Sequence, residues 1–575
     1  MKKVLSLLKN YKKEAFFAPF FKLVEAVFEL FVPLVMADII DIGIPNSDTS
    51  YIVKKGLILI LLAAAGLTVA ITAQFFAAKA AVGVSGALRK KLFDHIMGLE
   101  ASDVDKAGTS TLITRMTSDV NQVQTGVNMS LRLLLRSPII VFGAMIMAFT
   151  IDVPSAVIFC IAVPILAIIV IGITRFSIPM FVGVQKLLDR VMLSSRENLT
   201  GVRVIRAFNL QDDEKNSFYE KTDALKRKQI SASDFTALTN PITFIIVNVA
   251  VMFLIYKGAL RVNIGAITQG QAVAILNYMS QILVELLKLT NLIVTITKSI
   301  ASADRVSDVL DLGKTQGSSF AYGEDSKQED VSPFSVSFDH VSLKYTSGSD
   351  EALSDISFNV TPGMTVGVIG GTGSGKSSLI NLIPGMYKAS SGTVTVLGED
   401  VKTCDRVRLR ERIGVVPQKA VLFKGNVRSN MQIGSESATD EEMIECLKKA
   451  QAYDFVSEKG GLDAEVLQNG KNFSGGQRQR LTIARALVRK PEILILDDST
   501  SALDFLTEKH IREEIAALRD MTVFIVSQRA SSVMNADMII VLDDGKAVGI
   551  GTHEELLKTC NVYEEIYYSQ FERKQ

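Results

Sequence analysis

Apolar residues fill the first half of the chain in six long runs, near residues 16–40, 56–80, 131–151, 154–174, 241–262 and 271–297. Each approaches the ~20 residues that a helix needs to cross a ~30 Å hydrocarbon core. The run at 154–174, PSAVIFCIAVPILAIIVIGIT, is apolar on every face, which suits lipid or a very large core. Beyond about residue 310 no comparable run occurs.

Between the second and third runs, apolar residues recur at helical spacing as Leu88, Leu92, Ile96 and Leu99, then as Leu112, Met116, Val120 and Val123. Lys106-Ala107-Gly108-Thr109 separates the two sets as a turn signal. About 30 further helical residues at 1.5 Å each would carry a span ~45 Å past the bilayer. Spans two to five are therefore expected to form two long hairpins reaching into the cytosol. Basic residues set the orientation, because loops rich in Lys and Arg stay cytoplasmic. Lys2, Lys3, Lys9, Lys12 and Lys13 crowd the N-terminus, and 86–130 and 175–240 are also well supplied, whereas the short loops near 41–53, 152–153 and 261–270 hold only Arg261. Both termini are placed in the cytoplasm. The stretch MKKVLSLLKNYKK has too short an apolar run for a signal peptide and is read as a retained interfacial amphipathic helix.

Ionisable residues lie within or near the spans: Lys22, Glu25, Glu29, Arg132, Arg136, Glu285 and Lys288. Charges at that depth are costly, so they pair or face a water-filled cavity. Glu285 and Lys288, three apart on one helix face, suit either reading.

After Leu312 the pattern changes. The stretch 313–330 is polar without apolar periodicity, and the expected organisation is a membrane domain at 1–312, a linker at 313–333 and a second domain at 334–575. In that second domain a short apolar strand, Thr365 to Ile369, runs into Gly370-Gly371-Thr372-Gly373-Ser374-Gly375-Lys376-Ser377, which fits G-x-x-x-x-G-K-[ST] at every fixed position. Ser378 to Ile383 follows as a helix. Glycines let backbone N–H groups curl around phosphate, Lys376 would reach the β and γ phosphates, and Ser377 would ligate magnesium. A second apolar strand, Ile493 to Leu496, ends in Asp497 and Asp498, and Asp497 sits where a carboxylate would hold the magnesium water shell. Phe473-Ser474-Gly475-Gly476-Gln477 lies between these two elements.

Taken together, these motifs resemble a half-transporter of the ATP-binding-cassette exporters, with six spans fused ahead of one cassette, and the likeness covers essentially the whole chain. The implied fold is a membrane α-helical domain with long cytoplasmic extensions plus an α/β P-loop NTPase domain. The implied cofactors are ATP and Mg2+, and the implied location is the bacterial plasma membrane. Tyr345 resembles the aromatic that stacks on adenine, and Gln418 in Val416-Pro417-Gln418 resembles the glutamine that senses magnesium. Gly370 to Ser378 would hold the nucleotide, with Ser377, Gln418 and Asp497 toward the metal. Phe473 to Gln477 resembles the signature that completes a partner's site, and Ser501-Ala502-Leu503-Asp504 the loop that crosses between cassettes. Turns near Lys106 to Thr109 and near Ala207 to Gln211 resemble the coupling helices.

Two departures fall on the residues that would activate the attacking water: Asp498 stands where the family has Glu, and Gln528 where it has His. Asp is one methylene shorter, so its oxygens stop about 1.5 Å short, and a ~1 Å misplacement can cost ~100-fold in rate. Gln528 can donate a hydrogen bond but cannot carry positive charge beside the γ-phosphate. Milder departures are Gln468, where a Glu is usual, and Phe473, where a Leu is commoner. The resemblance thus implies tight ATP binding, weak hydrolysis at the chain's own site, and a sound signature offered to a second half-transporter in a heterodimer. A homodimeric exporter with slow turnover and an ATP-gated membrane regulator are the competing readings.

Composition narrows the picture further. Of 575 residues, 48 % are hydrophobic and 21 % charged, and the net charge of +1 argues against a nucleic-acid partner. Six spans exclude a soluble cassette, and fusion of both domains in one chain disfavours an importer. The four cysteines, Cys160, Cys404, Cys446 and Cys560, have no metal or redox spacing. Phe16, Phe17, Phe20, Phe21, Phe28 and Phe31 on the first span, with Met145, Met147 and Tyr278, suit either an adaptable apolar cavity or lipid-facing packing. The expected substrate is hydrophobic or amphipathic, a class that admits drugs, lipids and peptides alike.

Overall fold

The computed structural model describes residues 6–313, 333–345 and 350–571, so the expected linker falls almost wholly outside the described residues. The chain divides into two compact units, Met1–Gly98 with Ala107–Leu312 and Leu99–Lys106 with Gly313–Gln575.

The first unit is helical. The helices of the first half of the chain are α1 (Lys12–Asp38), α2 (Thr49–Met97), α3 (Ala101–Ala107), α4 (Thr109–Ile151), α5 (Val153–Thr200), α6 (Val202–Ala207), α7 (Gln211–Asn263) and α8 (Gln269–Val309), and of these α3 falls almost wholly in the second unit. The two short helices, α3 and α6, run into the positions where the coupling-helix turns were expected, α3 ending at Ala107 and α6 at Ala207. Side chains mark the ends of the long helices: Asp48 accepts from the Tyr51 N–H, Asp152 from the Ser155 N–H, and Thr268 and Gln271 form a capping box. Two breaks have a proline cause. Pro138 and Pro241 lack the N–H that would bond the Leu134 and Ala237 carbonyls, and the helical ladder of α4 interrupts at Leu134-Leu135, that of α7 at Leu238.

By length and composition, five helices among the described residues can cross a membrane: α2, α4, α5, α7 and α8. With 27 residues, α1 is long enough to be a sixth, but Lys22, Glu25 and Glu29 lie along it. Those charges are paired rather than free. Lys22 Nζ lies 2.5 Å from Glu25, and Arg136 of α4 reaches Glu29 at 2.8 Å and Glu285 of α8 at 2.7 Å. Lys288 also reaches Glu285, at 2.8 Å. The intramembrane charges therefore tie α1, α4 and α8 together, as costly charges at bilayer depth must. Around them the helices pack on Phe159, Leu166, Ala274, Met279 and Ile282, and the buried Tyr278 hydroxyl donates to the Leu30 carbonyl. On α2, by contrast, Ile60, Leu61, Leu67 and Ile71 are exposed. An apolar face without protein cover belongs against lipid.

Among its described residues the second unit holds two large sheets and a third of two short strands. Strands β1 (Val336–Leu343), β2 (Leu353–Val360), β3 (Thr365–Gly370), β4 (Ser391–Val396), β5 (Glu399–Asp400) and β6 (Ile413–Val416) precede the pair β7 (Gly425–Asn426) and β8 (Glu465–Val466). Then come β9 (Ile493–Asp497), β10 (Thr522–Val526), β11 (Met538–Asp543) and β12 (Lys546–Gly551). One sheet is antiparallel, in the order β2-β1-β4-β5; the other runs β12-β11-β3-β10-β9-β6 and is parallel except at β12. Alternate residues of the central strands feed opposite cores. Ile493, Ile495, Phe524 and Val526 pack toward the antiparallel sheet, while Leu494, Leu496, Val523 and Ile525 pack beneath the helices. Such two-faced burial is why these strands read as unbroken apolar runs.

Candidate functional site

The loop after β3 is built where a buried parallel strand meets a helix, α9 (Lys376–Leu382). Gly375 caps that helix with φ 98°, a left-handed conformation, and a Cβ there would stand 2.7 Å from the Ala352 carbonyl oxygen. Only glycine fits. The open loop leaves the first N–H groups of α9 without helical partners, a natural seat for phosphate. Lys376 curls back over the loop, donating to the carbonyls of Gly370 (2.9 Å) and Gly371 (2.6 Å), with Ser374 Oγ at 3.4 Å. These bonds hold the ammonium over the loop, where a polyphosphate would take them over.

A cavity of about 330 Å³ opens beside this loop. Of the residues singled out from sequence, it brings together Tyr345, Thr372, Gly373, Gly375, Lys376, Ser377, Ser378, Gln418, Asp497, Asp498 and Gln528. Gly370, Gly371 and Ser374 stand behind it as partners of Lys376. Ser377 Oγ donates to Asp497 Oδ1 at 3.2 Å, and Gln418 Nε2 to Asp498 Oδ2 at 3.4 Å. Burial pushes the Asp497 carboxyl above its ordinary range, with Asp498 adding to the shift, and pushes the Lys376 ammonium below its own. A half-buried carboxylate, beside a hydroxyl and an amide, suits a hard divalent cation such as Mg2+. Among the described residues no group of three or more His, Cys, Asp or Glu could hold a metal alone. Phosphate oxygens and water would have to complete the shell around Ser377, Asp497 and Gln418. A cation held there would supply charge neutralisation at the phosphates.

Asp498 has φ 44°, in the left-handed region, held by its N–H to the Val526 carbonyl (3.0 Å) and by Ser501 Oγ donating to its own carbonyl (2.9 Å). Tyr345 lies at the cavity edge, 41 % exposed, its hydroxyl 2.7 Å from Ser378 Oγ. Its ring packs edge-on against Tyr387, with 5.1 Å between centroids. The Tyr387 hydroxyl donates to Asp105 at 2.6 Å, and Glu100 receives Lys388 (2.6 Å) and Arg406 (3.1 Å). Burial alone would raise the Glu100 carboxyl, but those two cations hold it below the usual range. Leu99–Lys106 thus joins the second unit through specific bonds. Tyr387 and Ala352, a further lining residue, carried no sequence signal: one sits in an ordinary-looking loop, and the other offers only backbone and a methyl group.

The signature residues are not in this cavity. Ser474 caps α10 (Gly475–Leu487) in a capping box with Gln477, and is exposed. Phe473, buried, packs edge-on against Phe455. A Cβ on Gly476 would lie 3.0 Å from the Ala502 carbonyl oxygen, and the Ala502 N–H donates to Gln479 Oε1 at 3.1 Å. The end of α10 and the loop Ser501 to Asp504 are thereby fixed together. Changing Lys376 to alanine removes the cavity's charge-assisted phosphate donor, and ATP affinity is expected to fall about 10- to 100-fold. Equilibrium binding of a fluorescent ATP analogue to the purified chain checks it.

Residues 15–286 match the family model of the ABC transporter transmembrane region, and residues 353–501 that of the ABC transporter. The chain is 36 % identical to the ABC transporter ATP-binding protein YfiB of Bacillus subtilis, over 100 % of this chain and 99 % of that one. It is 32 % identical to the putative multidrug export ATP-binding/permease protein YgaD of the same organism, over 99 % of each. A bacterial Atm1-family ABC exporter with ATP bound has the same fold, with a TM-score of 0.79 over 99 % of this chain and 100 % of that one, at 22 % identity.

Proposed function

Because the chain belongs to the ABC transporters, multi-pass membrane proteins that couple ATP hydrolysis to transport, we propose that it is the weakly hydrolysing subunit of a heterodimeric exporter. Half-transporters act as dimers. In this reading Tyr345 stacks on adenine, Gly370 to Ser378 cradle the phosphates, and Ser377, Asp497 and Gln418 hold magnesium. Phe473 to Gln477 of this chain face the γ-phosphate bound by the partner. Both termini lie in the cytoplasm, and the cargo is hydrophobic or amphipathic, in keeping with a relative named for multidrug export.

One observation carries the reading. The cavity that holds Lys376 also holds Asp498 and Gln528, a carboxylate one methylene short and an amide that cannot accept a proton. The binding groups are sound, and the two groups that would activate water are weak. Among the described residues the Asp498 carboxylate takes its hydrogen bond from Gln418, at a long 3.4 Å.

Restoring the pair tests it. Asp498→Glu returns carboxylate reach and Gln528→His returns a group able to share charge; acting on one transition state, they should be non-additive. The double variant is expected to raise single-turnover hydrolysis at this site about 10- to 100-fold, in a pair whose other site is disabled. A rate indifferent to the double change places the defect elsewhere, and ordinary exporter turnover by the unaltered chain alone would favour the homodimer.

A further inference from the structure

A second cavity, of about 510 Å³, lies in the membrane unit between α1, α4 and α8. That is the size of a small-ligand site. Counting along α8, Glu285 is 16 residues past Gln269, about 24 Å down the helix, so the cavity lies at bilayer depth. Its floor is the buried pair Arg136 and Glu285, with Ser137 Oγ donating to the second carboxylate oxygen at 2.8 Å. Its rim carries two half-exposed charges of opposite sign, Glu29 at 44 % and Lys288 at 43 %.

These rim groups are under-used. Both Glu29 oxygens accept from the same nitrogen, Arg136 Nη2. Among the described residues Lys288 donates to Glu285 Oε1 alone, leaving two of its three protons. Gln281, in the same lining, has an Oε1 without a hydrogen-bond partner among the described residues. Purely structural pairing would favour buried ends, as the floor pair has, and even there Arg136 Nε is buried without a hydrogen-bond partner among the described residues. Charge balance narrows the ligand further. Glu25, Glu29 and Glu285 are matched by Lys22, Arg136 and Lys288, so the cluster is neutral and offers no field that favours one sign. A lone cation would satisfy Glu29 but desolvate Lys288 without return, and a lone anion would do the reverse. Val32, Pro33, Ile140 and Val284 supply an apolar wall beside the charges.

We propose that this chamber binds zwitterionic amphipaths, molecules with a cationic and an anionic group joined to an apolar body, with the cation at Glu29 and the anion at Lys288. The assignment rests on the transporter reading and names the class of cargo within it. A short apolar peptide with free termini has this chemistry, as does a zwitterionic lipid headgroup.

The test uses the full chain, in the dimer it forms, in nanodiscs. Equilibrium binding is measured for Leu-Leu-Leu with free termini, N-acetylated, C-amidated and doubly capped, and for lysophosphatidylcholine. The free peptide should bind about 10-fold or more tightly than either singly capped form. Glu29→Gln should abolish the penalty for acetylation and leave that for amidation; Lys288→Met should do the opposite. Glu29→Asp and Lys288→Arg, which keep the charges, should keep the preference. Lysophosphatidylcholine binding with the same dependence on Glu29 and Lys288, in place of the peptide, would assign the same chemistry to lipid headgroups. Equal binding of capped and free forms, variants that weaken all ligands alike, or no binding of any ligand overturns the proposal. Those outcomes leave the transporter reading intact as long as ATP binding still depends on Lys376; loss of that dependence would sink the reading itself.

Discussion

Replacing Ser474 with arginine in the assembled pair is expected to cut ATP hydrolysis by ~1,000-fold, the upper cost of losing an aligned donor at a reacting phosphate or oxyanion, while this chain's own nucleotide affinity stays unchanged. Ser474 is exposed at the start of α10, outside the cavity that holds Lys376, so the substitution cannot touch this chain's own site. It does place a long side chain in front of the N–H groups that a partner's γ-phosphate would meet. Loss of the cap itself is a smaller matter, ~1 kcal/mol, and Ser474→Ala supplies that control. Steady-state ATPase of the pair, with ATP affinity of this chain measured alongside, checks both halves. Full activity in the arginine variant would mean that Phe473 to Gln477 do not complete a competent site.

Changing Arg136 to methionine is expected to destabilise the membrane unit by ~3–5 kcal/mol, the usual cost of breaking a buried ion pair by removing one partner. Arg136 is a single guanidinium serving Glu29 at 2.8 Å and Glu285 at 2.7 Å, with Glu25 at 3.8 Å. Without it, Glu285 retains Lys288 and Ser137, but Glu29 loses its partner and three carboxylates face two cations. Thermal unfolding in detergent should show the loss. Changing Glu29 and Glu285 to glutamine as well should recover much of it, because the uncompensated charges are then gone. A melting temperature unmoved by Arg136→Met would show that water reaches the cluster freely.

Much of this protein is local chemistry and was open to reading from the chain alone. The strand Thr365 to Gly370, its glycine loop and α9 are contiguous, so the phosphate seat needs no distant residue to be recognised. The same holds for Ile493 to Asp498, whose apolar residues are buried on both faces, and for the long apolar runs that became helices. The substitutions Asp498 and Gln528 were visible because each sits beside such a strand, and the parallel pairing of β9 and β10 then carries both into one cavity.

What only the tertiary structure decided depends on contacts between residues far apart in sequence. Arg136 meets Glu29 and Glu285 across 107 and 149 residues. Glu285–Lys288 was the pair read from sequence, and Lys22–Glu25 at the same spacing was equally open to it, because i,i+3 spacing is legible on one helix and interhelical partners are not. Helix packing also turned a list of costly charges into a neutral cluster, part of which lines a cavity. The bond from Tyr387 to Asp105 likewise brings a short segment of the first half into the second unit, which no composition change at Leu99 announces. The sequence determines which segments are greasy, which loop cradles phosphate and which catalytic groups are altered, since these are properties of neighbours along the chain. Packing alone decides which charges are shared, because the cost of burying a charge is settled by whichever partner the fold delivers to it.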